Sequence, residues 1–121
     1  MRLKDFTYLY NAAAHFAAAE KFTGPEGLVG ALRQPGAAAL EPLCWALAEM
    51  SKQGELLRRY MGETPRETPT AEEWMLKLRP NQIRAATGIV MEAMIEGLGK
   101  ADDGEEVDEV LQELEKKTGA D

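Results

Sequence analysis

Residues Gly36–Gln53 read GAAALEPLCWALAEMSKQ, and their spacing decides the fold. Leu40, Leu43, Cys44, Leu47 and Met50 fall on one stripe of an α-helix. Trp45 points about 100° away from Cys44, so the sequence predicts apolar contacts on a second side. A helix apolar over more than one side belongs in the middle of a bundle. Pro42 fits either the first turn of a helix starting near Glu41 or a separate turn over Ala37–Glu41 kinked against it. One element with a bend is expected. Gly54 interrupts the stripe, and a short amphipathic helix is expected to follow over Glu55–Met61, with Leu56, Leu57, Tyr60 and Met61.

The rest of the chain has the same helical character. Apolar residues make up 45% of it, enough for a sizeable core. Ala, Leu and Met dominate that set, and the β-branched residues that strands prefer are scarce. The expected class is all-α: a compact bundle of about five helices with a loosely attached amphipathic C-terminal helix. Residues 1–99 form the helical domain in this reading, and residues 100–121 form an acidic tail.

Upstream of the central stretch, Asp5–Lys21 predicts a helix, with Asp5 or Thr7 as its cap and Phe6, Leu9, Ala13 and Phe16 on one stripe. Gly24-Pro25 ends it. Pro25 then opens a short helix anchored by Leu28 and Leu32, and Gln34-Pro35-Gly36 is a turn. Downstream, Gly62–Pro69 (GETPRETP) reads as an extended polar loop. Thr70 and Glu73 have the spacing of a capping box, so a helix carrying Trp74, Met75 and Leu78 should start there. A last long helix is expected over Pro80–Leu98, with Ile83, Thr87, Val90, Met91, Met94 and Leu98 in register. Beyond a polar break, Val107, Val110, Leu111 and Leu114 mark one face of an otherwise charged helix over Glu105–Lys117.

The net charge of −7 is unevenly placed: Lys100–Asp121 holds nine acidic and three basic side chains. An acidic chain without a basic patch is poorly suited to nucleic acid, whose phosphates supply most of the binding energy. The lone Cys44 excludes an internal disulfide and suits a reducing compartment. Asp5, Asn11 and His15 break up the region after Arg2 and Lys4, so no signal peptide is expected. No apolar run approaches the roughly 20 residues of a membrane span. These features predict a cytoplasmic protein with no membrane partner.

Chemistry has few candidates. His15 is the only histidine, and neither Asn11 nor Ala19, one turn away on either side, offers it a carboxylate. It reads as a histidine at the edge of the core, and a nucleophilic pair with Cys44 has nothing visible to orient it. The acidic run Asp102–Glu109 lacks the ligand order of a calcium loop. Gly24, Gly27 and Gly30 follow no strand, so they read as helix packing and not as a phosphate cradle. No catalytic, metal or cofactor site is expected. Met75, Met91 and Met94 suit either core filling or an adaptable partner groove. The candidate partner-binding residues are Met91, Met94, Leu98, Val107, Val110, Leu111 and Leu114. The terminal amphipathic segment could dock on its own body, pair with a second copy or await a partner.

One family shows a similar order of features. An aromatic first helix ends in Glu-Lys-Phe-Thr-Gly (Glu20–Gly24). A short helix follows at Leu28–Leu32, and then the pattern Ala39-Leu40…Leu43-Cys44-Trp45-Ala46-Leu47. Over about Leu3–Leu57 this succession resembles the tail assembly chaperones of long-tailed phages and prophages. Some members begin with an extended segment, which only Met1–Lys4 is expected to supply here. The resemblance implies a small, mainly helical, non-enzymatic protein that binds tape measure protein and recruits tail tube subunits. It also implies action in the host cytoplasm and absence from the finished virion. Some members are also made in a longer, frameshifted form. The alternative is a small helical adaptor or connector-type structural phage protein acting through protein–protein contacts.

Overall fold

The computed structural model describes residues 2–99, and the expected C-terminal helix lies outside them. Five α-helices and no strand are present among these residues. They are α1 (Ala12–Phe22), α2 (Pro25–Leu32), α3 (Leu40–Tyr60), α4 (Ala71–Lys77) and α5 (Ile83–Gly97). The fold class read from the sequence is the one observed. The long α3 packs against each of the other four helices.

Leu43, Cys44, Leu47 and Met50 of α3 are buried with Leu28, Val29, Trp74, Ala86, Val90 and Met94. Trp45 serves the second side, where its ring meets Phe22 edge-on at 5.2 Å. Pro42 occupies the first turn of α3, where its missing N–H costs no hydrogen bond. A 3-10 turn over Gly36–Ala39 precedes it. The capping box forms as its spacing requires. Thr70 Oγ1 accepts from the Glu73 amide at 3.1 Å, and the Thr70 amide donates to the Glu73 carboxylate at 3.1 Å.

Two expectations are corrected. The first concerns the N-terminus, where the helix begins at Ala12 and not near Asp5. Asn11 is its cap, with Oδ1 accepting from the Ala14 amide at 3.0 Å. Leu3–Asp5 forms a 3-10 turn, and Phe6 leaves it in the extended region. Residues 6–11 then run without helical structure alongside α3. The Leu9 amide donates to the Met50 carbonyl at 3.0 Å, and Asn11 Nδ2 donates to Gln53 Oε1 at 3.1 Å. The stripe Phe6–Leu9–Ala13–Phe16 therefore does not exist. Ala14 and Ala18 face the core, and Phe16 faces solvent.

The second correction concerns Gly54. It does not divide the central helix, because α3 continues through it to Tyr60. A Cβ at Gly54 would lie 1.8 Å from the Thr7 carbonyl oxygen. The glycine is there because the extended segment lies directly on the helix.

Candidate interaction surface

The C-terminal end of α3 has two unlike sides. On one, Glu55 is buried at 4% exposure and gathers three arginines. Its Oε1 accepts from Arg58 at 2.6 Å, and its Oε2 accepts from Arg59 at 3.1 Å and from the Arg66 amide at 2.8 Å. The Arg66 amide does most to hold the Glu55 carboxyl low, at about 2, and Arg58 and Arg59 add to it against the opposing effect of burial. Arg59 also donates to the Arg66 carbonyl at 2.9 Å. This cluster ties the Gly62–Pro69 loop back onto α3. Arg66 then lies over the ring of Phe6, whose other neighbour is Trp74 at 5.7 Å. Arg58, Arg59 and Arg66 thus act with Glu55 as a clamp.

The other side is apolar and open. Leu56 is 48% exposed, Leu57 43%, Tyr60 87% and Met61 69%. Offsets of one, four and five residues from Leu56 confine these four to an arc of about 140°. They form one continuous apolar end of a helix and not scattered exposures. Phe16 on α1 and Leu76 on α4 are also exposed.

The candidate contact residues have different placements. Met94 is 1% exposed and fills the core, so it offers no surface. Met91 and Leu98 are half-buried and pack against the core. Val107, Val110, Leu111 and Leu114 lie outside the described residues. Met75 is exposed on α4, whereas Met94 is buried. A helix period fixes which residues share a face but not which face meets the core.

His15 sits at the edge of the core, its Nδ1 3.0 Å from the Tyr10 hydroxyl and its ring edge-on to Phe16. Burial raises the Tyr10 hydroxyl to about 12 and also pushes the Cys44 thiol up. Cys44 is fully buried and packs as a core side chain. Among the described residues no group of three or more His, Cys, Asp or Glu side chains could hold a metal ion. No described helix is long and apolar enough to cross a membrane.

The sequence reading missed the surface at Leu56–Met61 while naming its residues. The signal was the apolar spacing itself, continuing four residues at a time beyond Gly54. No protein-family model, curated protein or solved structure matches this chain.

Proposed function

We propose that this chain is a non-enzymatic tail assembly chaperone of a long-tailed phage or prophage. In this reading it works in the host cytoplasm, binding tape measure protein and tail tube subunits through protein–protein contacts. The observation that carries the reading is the open apolar end of α3, Leu56, Leu57, Tyr60 and Met61. An apolar patch on a small helical body is a means of holding the apolar face of another protein before that face finds its final partner. The resemblance over Leu3–Leu57 supplies the identity of the client, and the acidic balance of the chain fits a protein client better than nucleic acid.

Co-expression with the tape measure protein of the same genome tests the proposal. Recovery of the two as a complex supports it, and a clean absence of association between well-expressed partners overturns it. A tail tube gene upstream and a long tape measure gene downstream would favour the chaperone over a connector-type component. Recovery of the chain from finished particles would favour the component.

A further inference from the structure

The core stripe of α3 extends past its cover. Leu43, Leu47, Met50, Gly54, Leu57 and Met61 alternate spacings of four and three, which is one continuous seam. The seam is buried through Gly54, where Thr7 of the extended segment lies against it. At Leu57 and Met61 it is exposed, and Leu56 and Tyr60 widen it.

The place where the described chain ends bears on what covers that seam. A Cβ at Gly97, the last residue of α5, would lie 2.1 Å from the Tyr10 carbonyl oxygen. The next residue, Asn11, is hydrogen-bonded to Gln53 of α3. Gln53, Leu56, Leu57 and Tyr60 are related by i, i+3, i+4 and i+7, so they share one face of the helix. The chain therefore leaves α5 beside the face of α3 that carries the apolar end. Gln53 is only about 10 Å of helix rise from Tyr60.

The segment that follows suits the distance. Residues 100–104 span up to about 17 Å. Residues 105–117 carry Val107, Val110, Leu111 and Leu114 at spacings of one helix face, with Glu106 before them and Asp108, Glu109, Glu113 and Glu115 between and after them. Lys52 and Arg59, at 57% and 44% side-chain exposure, border the patch one turn before and one turn after Leu56. A second copy is a poorer occupant. Four partly exposed side chains offer on the order of a few hundred Å², whereas a stable dimer buries about 800 Å² on each partner.

We infer that residues 105–117 of the same chain dock, through Val107, Val110, Leu111 and Leu114, on the apolar end of α3 formed by Leu56, Leu57, Tyr60 and Met61. Tethering by a short spacer raises the effective concentration to the millimolar range, so a thin stripe suffices. A client then binds by displacing this segment. The inference goes beyond the proposed function, and its test contains no client, so the two fail separately.

The experiment uses the full chain with Thr118→Cys carrying a nitroxide, Cys44 being fully buried and closed to the label. Amide signals are compared with the label oxidised and reduced. Those of Leu56, Leu57, Tyr60 and Met61 are expected to lose about twofold or more in intensity, unchanged on dilution, as an intramolecular contact requires. Adding Leu57→Asp should restore them. Unbroadened signals at the patch overturn the inference. So does broadening that appears only when labelled chain is mixed with separate isotope-labelled chain, which would make the occupant a second copy.

Discussion

Replacing Gly54 with alanine separates two opposite physical expectations. In an open helix interior, Gly→Ala stabilises by about 1 kcal/mol, because alanine loses less backbone entropy on folding. At Gly54 the new methyl would sit 1.8 Å from the Thr7 carbonyl oxygen, where ordinary contact begins near 3.4 Å. The extended segment would have to move out by about 1.5 Å. That segment is held at several points. Its Leu9–Met50 and Asn11–Gln53 hydrogen bonds contribute about 1 kcal/mol each, and the Phe6–Trp74 ring contact about 1 kcal/mol more. Losing most of these against a propensity gain of about 1 kcal/mol leaves a net destabilisation of about 1–2 kcal/mol, within the range usual for overpacking. For a domain of this size that lowers Tm by roughly 5–15 °C. Gly88 is the control: it too lies inside a helix, α5, but a Cβ there meets nothing within 4 Å. Gly88→Ala should raise stability by about 0.5–1 kcal/mol. Urea unfolding of the two variants beside the parent reads the result. A Gly54→Ala chain as stable as Gly88→Ala would refute the close approach of the N-terminal segment.

Three further outcomes are expected. The Glu55 carboxyl titrates at about 2 when folded, below its ordinary 4.5. The stability it contributes is therefore complete above about pH 4.5 and is lost as pH falls toward 2. Urea midpoints of the parent and of Glu55→Gln should differ most near neutral pH and converge across that window; a gap that stays constant to pH 2 would contradict the clamp. Thr70→Ala removes the hydroxyl that caps α4 and should cost about 1 kcal/mol in the same assay, with Thr70→Ser keeping most of it. Cys44 should react with an aromatic disulfide reagent only at the rate at which the core opens, so rapid labelling in native buffer would show that the thiol is not where the packing puts it.

The helical class was legible because helix-forming residues recur at helical spacing, and the Thr70–Glu73 box and Pro25 announce two helix starts. The N-terminal segment was not. Phe6, Tyr8 and Tyr10 alternate, as an extended strip with one face against a body requires, while their apolar character also satisfies a helix period. Asn11 was the better cap, and alternation ending at a capping residue was the available signal. Met1–Lys4 was expected to be the extended part, but Leu3–Asp5 forms a 3-10 turn, and the segment without helix runs from Phe6 to Asn11, both in the extended region. Gly54 was misread for a different reason. Whether a glycine breaks a helix or admits a neighbouring backbone depends on the neighbour, which no local pattern contains. The surface at the end of α3 was likewise hidden, since spacing shows a seam but not where its cover stops.

The most direct test of the account is a titration of the full chain, and of the same chain with Leu57→Asp and Tyr60→Asp, against the tape measure protein of the same genome. Both substitutions lie on exposed positions and should change stability by less than about 1 kcal/mol. The parent chain is expected to bind, and the variant to lose about tenfold or more in affinity while keeping its fold. Equal binding by parent and variant would contradict the role of the α3 surface, and no binding by the parent would contradict the chaperone function itself.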